Sequence, residues 1–226
     1  MKTKLLVIIL LLLVSISSTC SFAQMRMTSF DHKDVIHLFN NKDLSDWEFV
    51  LQDNTSKPED IFTVKDSILH IESNTLGYMY TKEKYDNYRL YIEWRWIKPS
   101  SDNGIFVLIN ESNKPYPSAI ECRLKENNSG DFIIYGNASL AEYTTHENET
   151  RPLFPTIAKK YESNENPVGE WNQLDIFIIE GIVSVYINGK FQNEGTSLIK
   201  SGHVGIKCVS GEPIEFKRFF LIKINP

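Results

Sequence analysis

Two short runs constrain most strongly what this chain can fold into. In Tyr88–Trp96 (YRLYIEWRW), Tyr91, Glu93 and Arg95 recur at period two against Ile92, Trp94 and Trp96. In Ala119–Leu124 (AIECRL), Glu121 and Arg123 alternate with Ile120, Cys122 and Leu124. Successive side chains of a strand point to opposite faces, so each run reads as a strand with one apolar and one charged side. If both lie in one sheet, that sheet carries carboxylates and guanidiniums on a single surface. Such a surface is either a solvated exterior or the floor of a site.

The remaining sequence extends the strand reading. Phe62–Glu72 reads as a hairpin turning at Lys65–Ser67, Tyr78–Thr81 as a short strand, Tyr85–Trp96 as a long one and Phe132–Tyr135 as another. Gln173–Glu180 and Ile182–Ile187 pair across Glu180–Gly181, and Asn188–Gly189 is a strong two-residue hairpin signal leading into Lys190–Gln192. Gly202–Val209 and Glu215–Ile224 complete about a dozen strands, with no convincing helix after the N-terminal segment. Hairpin-linked strands of this number favour a sandwich or jelly roll. Residues 136–169 are the least regular part, a loop length that is usually functional or disordered.

The N-terminus sets the expected compartment. Lys2 and Lys4 precede the apolar run Leu5–Val14, and small residues follow up to Ala23. This is the order of a secretory signal peptide cut after Ala23, and the run is too short for an ordinary membrane span. A lipid anchor at Cys20 is the rival, weakened by Ser17 where an aliphatic residue is usual. The expected organisation is a signal over 1–23, a polar lead-in over 24–34 and one domain over 35–226, in a protein exported to the periplasm or beyond. The net charge of -5 is spread without basic blocks, so no nucleic-acid footprint is expected. Cys122 and Cys208 fall on apolar faces and read as small buried residues. No cofactor is expected; a divalent cation among Asp102, Glu121 and Glu126 stays open, although no spacing demands one.

Six segments in order then resemble one family. They are Leu38–Trp47 (LFNNKDLSDW), Glu93–Trp96 (EWRW) followed by Asp102–Ile105 (DNGI), Ala119–Leu124 with Gly130–Phe132 (GDF), Glu165–Asn172 (ENPVGEWN), Val185–Gly189 (VYING) and Pro213–Arg218 (PIEFKR). Together they resemble the 3-keto-disaccharide hydrolase family of gut and environmental bacteria, from about Val35 to Ile224. The resemblance implies an all-β concanavalin A-like jelly-roll sandwich of two antiparallel sheets with a concave cleft. It also implies export in a Bacteroidetes-like bacterium and a carbohydrate substrate. Glu121 matches the acid of the family's E-x-Q strand, Arg95 its E-W-R-W arginine, Asn103 the start of N-S-G-I, and Glu215 and Arg218 the E-F-R-N strand. Two departures stand out: Arg123 and Lys207 occupy positions where the family has glutamines, so cations replace amides.

A ketone at C3 acidifies the proton on C2, so a base can remove it and the C1 substituent can leave before water adds back. That route needs a general base and a cation or donor for the developing enolate. Glu121 is the first choice for base or acid, with His146 as a proton shuttle from the long loop. Glu93, Arg95, Asn103, Arg123 and Lys207 are the expected substrate contacts. Direct hydrolysis by two carboxylates, Glu121 with Glu93, is the alternative chemistry. Against these stand bland readings: Glu121–Arg123 and Glu93–Arg95 as ordinary cross-strand ion pairs, and His146 as a solvated loop residue. The alternative function is a non-catalytic carbohydrate-binding module of a glycan-utilisation system, since fold alone does not decide function.

Overall fold

Alternation sorts most strands into an inward and an outward side, and the inward sides of two sheets meet. The computed structural model describes residues 35–99, 102–145 and 149–225. The strands are β1 Val35–His37, β2 Trp47–Leu51, β3 Phe62–Lys65, β4 Ile68–Ile71, β5 Gly77–Thr81, β6 Tyr85–Asp86, β7 Tyr88–Trp96 and β8 Asp102–Glu111. They continue with β9 Ser118–Lys125, β10 Phe132–Tyr135, β11 Thr156–Ile157, β12 Asn172–Ile179, β13 Ile182–Ile187, β14 Lys190–Thr196, β15 Ser201–Cys208 and β16 Ile214–Lys223. Among the described residues sixteen strands thus exceed the expected dozen, mostly through two- and three-residue pieces, and one helical turn, α1 (Pro58–Ile61), joins them.

The chain forms an all-β jelly-roll sandwich of two antiparallel eight-stranded sheets. One, the β7 sheet, runs β14-β13-β12-β7-β16-β4-β3, with β1 also on β16. The other, the β9 sheet, runs β11-β10-β9-β8-β15-β5-β2, with β6 also on β15. The two opening runs therefore do not share a sheet. Period two tells which residues share a face, and it carries no information about which strand lies alongside.

Between the sheets, Ile92, Trp94 and Trp96 of β7 and Ile176 of β12 pack with Ile120, Cys122 and Leu124 of β9 and Ile206 of β15 in one buried cluster. Fully burying a side chain of this size contributes about 1.5–3 kcal/mol. The Trp96 indole N–H also donates to the Leu124 carbonyl at 3.0 Å, tying one sheet to the other. Cys122 and Cys208 are buried free thiols, each pushed up by burial, Cys208 to about 11.

Local chemistry explains the turns. Asp66 and Ser67 (φ 52° and 61°) and Asn188 and Gly189 (φ 47° and 76°) take the left-handed pairs that two-residue hairpins require. The long expected strand from Tyr85 breaks at Asn87, which has φ 44° and accepts the Glu180 N–H on its side chain at 2.8 Å. In β8 the register shifts after Val107, where Leu108 takes φ 55°. Gly202 of β15 makes room for it, since a Cβ there would collide with the Leu108 backbone. The bulge turns both Val107 and Leu108 inward and sends Ile109 to the outer face, next to the residues described below.

Candidate functional site

The outer face of the β9 sheet is built from cross-strand rows. Gly104 of β8 lies between Arg123 of β9 and Lys207 of β15, and Lys207 pairs onward with Tyr78 of β5. In the adjacent row, Phe106 of β8 stands opposite Glu121 of β9, which stands opposite Ile133 of β10. Lys207 reaches diagonally across Gly104 to Glu121, its ammonium donating to Oε1 at 2.7 Å. A Cβ on Gly104 would overlap the Glu121 carboxylate, so the missing side chain is what gives this acid its place. The segment DNGI carries its meaning through that gap.

Charge is closely balanced here. Arg123 grips Asp102 with two parallel bonds, Nε to Oδ1 at 2.7 Å and Nη2 to Oδ2 at 2.6 Å. Asp131 lies 3.9 Å from Arg123, and Lys125 and Lys207 each lie 3.9 Å from Asp102. Three cations thus face three carboxylates, Asp102, Glu121 and Asp131. The two cations that stand in place of the family's amides each have a carboxylate of their own.

Burial separates the members. Glu121 is fully buried (0 % exposed) and Lys207 is 6 % exposed, whereas the Asp102 and Arg123 side chains keep 32 % and 18 %. Removal from water raises the Glu121 carboxyl above its ordinary value, against the opposing charge and hydrogen bond of Lys207. Asp102 goes the other way: burial raises it, but the Arg123 hydrogen bond with the Lys207, Arg123 and Lys125 charges hold it below the usual range. The second oxygen of Glu121, Oε2, has no hydrogen-bond partner of ordinary geometry among the described residues. The Tyr135 phenol is the carboxylate's other polar neighbour, lowering the Glu121 pKa as a hydrogen-bonding group, and is itself raised by burial, by the Glu121 charge and by that contact.

The other expected site residues lie elsewhere. Glu93 and Arg95 are on β7, on the outer face of the opposite sheet. There Glu93 takes Lys217 at 3.2 Å, Arg218 at 2.7 Å and the Tyr91 hydroxyl at 3.0 Å. Arg95 meets Glu215 at 2.5 Å, which also meets His70 at 2.9 Å. Sheets in a sandwich are about 10 Å apart, and these side chains point away from Glu121, so the two sets cannot touch one substrate atom. A direct two-carboxylate mechanism pairing Glu121 with Glu93 is excluded by this placement. Asn103 is in phase with Ile105, fully buried between the sheets, its amide donating to the Glu212 carbonyl at 3.2 Å. His146 lies outside the described residues. Among the described residues no group of three His, Cys, Asp or Glu side chains is arranged to hold a metal ion.

Sequence reasoning missed two features of this face. One is Asp102 as the partner of Arg123, which only the β8–β9 register reveals. The other is a run of aromatic rings beside Glu121, comprising Tyr78, Tyr80, Phe106, Tyr116, Tyr135 and Phe154. The alternation Tyr78-Met79-Tyr80 was its one local signal, with Met79 in the core and both tyrosines outward.

Similar folds occur among solved structures. A candidate glycosyl hydrolase from Parabacteroides distasonis aligns with a TM-score of 0.61 and 15 % identity, over 84 % of this chain and 99 % of that one. A carbohydrate-binding module from Bacillus subtilis aligns with 0.55 and 9 % identity, over 79 % and 96 %. A β-glucanase from Bacillus licheniformis aligns with 0.54 and 8 % identity, over 84 % and 97 %. At these identities the likeness concerns the fold. No curated protein matches the chain in sequence. The family of the 3-keto-alpha-glucoside-1,2-lyase-like domain, however, matches residues 34–222, nearly the whole of the described chain, and this protein belongs to that family.

Proposed function

We propose that the protein cleaves 3-keto-glucosides on the outer face of the β9 sheet, with Glu121 as general base. The observation that carries this is the buried carboxylate itself: raised in pKa by burial, anchored through Oε1 to Lys207, and flanked by the Tyr135 phenol. A carboxylate buried this completely is costly, and sites are where such costs are retained. Oε2 removes the C2 proton beside the C3 ketone. The electron pair delocalises onto the ketone oxygen, then returns to form the C1–C2 double bond as the C1–oxygen bond breaks. The leaving oxygen takes a proton, and water adding across C1–C2 gives the free 3-keto sugar. Lys207 and Arg123 supply the positive charge that faces the enolate oxygen. Because the surrounding charges balance, a neutral sugar fits this face better than an anionic one.

Membership of the family and the glycosyl-hydrolase and glucanase relatives of the fold support a carbohydrate-active enzyme. We also read residues 1–23 as an export signal, placing the enzyme outside the cytoplasm.

A second reading is favoured by one observation, the complete enclosure of Glu121. In that reading the Glu121–Lys207 pair is a structural floor and the face only binds glycans, as the name of the Bacillus subtilis module says of that protein. A paired assay separates the two: the purified mature chain is offered 3-keto-glucosides and unmodified glycans. The enzyme releases sugar from the keto substrates only; binding of glycans with no release from either class leaves the second reading standing.

A further inference from the structure

The aromatic run beside Glu121 has no part in the chemistry above, yet it is continuous with it. Phe106 is the cross-strand neighbour of Glu121, and Tyr135 shares its electrostatic environment. The rings of Phe106 and Tyr135 meet edge to face at 5.2 Å. From Tyr135 the contact passes to Phe154 at 4.9 Å and to Tyr116, stacked at 5.8 Å with 27° between the planes. Tyr116 and Phe154 close the triangle at 4.9 Å. On the other side Tyr78 meets Phe106 at 5.6 Å and is pinned by its hydroxyl, which donates to the Ser112 and Lys114 carbonyls at 2.7 and 3.0 Å. The loop between β8 and β9, which bears Tyr116, is thereby fixed over the sheet.

This wall opens outward at one end. Tyr116 is 41 % exposed, and Leu153, one residue before Phe154, is 80 % exposed. Exposed rings held by buried rings offer a rigid apolar surface at little entropic cost. The face is therefore two-sided: a charge-balanced polar half around Glu121 and an aromatic half running away from it. A ligand complementary to both halves is amphiphilic, with a neutral sugar at one end and a flat apolar group at the other. A flat aromatic group meets such rings with its whole face, whereas a second sugar meets them only with its C–H face and keeps its edge hydroxyls in water.

We propose that the aromatic wall formed by Tyr116, Tyr135 and Phe154 is the leaving-group subsite, and that the substrates are glycosides of aromatic alcohols rather than disaccharides. This rests on the reading of Glu121 as the reactive centre, so binding and cleavage are measured separately. For binding, phenyl α-glucoside and methyl α-glucoside are titrated into the mature protein by calorimetry. The phenyl glycoside should bind about tenfold tighter, a gain of the size that one ring contact and its burial provide, and Tyr116→Ala should remove that gain. Tyr116→Phe, which keeps the ring, should retain it and so controls for folding. For cleavage, Tyr116→Ala should lower kcat/KM about tenfold on 3-keto phenyl glucoside and less than twofold on a 3-keto disaccharide. Equal affinity for the two glucosides, binding of neither, or equal losses on both keto substrates would overturn the subsite. Preferential phenyl binding with no cleavage of any keto substrate would leave the subsite in place and sink the assignment of Glu121 instead.

Discussion

On the outer face of the β7 sheet, Glu93 meets Lys217 and Arg218 at the surface, where the Arg218 side chain is 68 % exposed. On the outer face of the β9 sheet, Glu121, itself without exposure, meets a Lys207 side chain only 7 % exposed. The strands bearing these acids look alike in sequence: an acid and an arginine two residues apart, facing away from isoleucine and a larger or polarisable core residue. What differs is what lies over them. Glu93 is held below the ordinary range: burial raises it, but bonds from Tyr91 and Lys217 and the Lys217 and Arg218 charges outweigh that. Glu121 has one cation and the Tyr135 phenol on an aromatic flank, and burial prevails. A charged alternation marks a site only where the fold withholds water from it.

The largest contrast should come from the two lysines. Lys207→Met strands Glu121 without its cation in a closed place and should cost about 3–5 kcal/mol in urea unfolding at neutral pH. Lys217→Met loses a part-buried pair with Glu93, which keeps Arg218 as a partner, and a cation–π contact 3.9 Å above the Trp171 ring, and should cost about 1 kcal/mol. Equal costs would erase the distinction between the faces.

Gly104→Ala sharpens it next. The new methyl collides with the Glu121 carboxylate, so about 1–3 kcal/mol of stability and most of the cleavage activity should be lost together. A stable variant with full activity would show that Glu121 can move without consequence.

The pH dependence of stability should differ in sign. Glu121 has a raised folded pKa, so the native state holds its proton above the ordinary 4.5 and stability falls as pH rises through that window. Glu93 has a lowered folded pKa, so its contribution is present above 4.5 and is lost as pH falls through the lower folded value. Between pH 4 and 7, Glu121→Gln should therefore gain stability relative to the parent as pH rises, and Glu93→Gln should not. Parallel curves for the two variants would contradict this.

Much of the fold was legible from local sequence. The Asn188-Gly189 and Asp66-Ser67 turns, the alternation of β7 and β9 and the inward tryptophans of β7 each follow from residues within a few positions of one another. Strand neighbours did not follow, because β8 pairs with β15 and β7 with both β12 and β16 through contacts about a hundred residues apart in sequence. That is why Glu93 and Arg95, placed by sequence beside Glu121, are on the other sheet. Asn103 was within reach of simple parity, since it is two residues from the inward Ile105. The aromatic wall was not, because its rings come from β5, β8, β10 and two loops, and only the tertiary fold assembles them.

The most direct test is the rate of sugar release from a 3-keto-glucoside by Glu121→Gln and Glu93→Gln, each checked for native folding. Loss of a general base at Glu121 should lower kcat by about 10²–10⁴, while Glu93→Gln should stay within about twofold of the parent. An active Glu121→Gln, or an equal loss in both variants, would contradict the assignment of the reaction to the face of the β9 sheet.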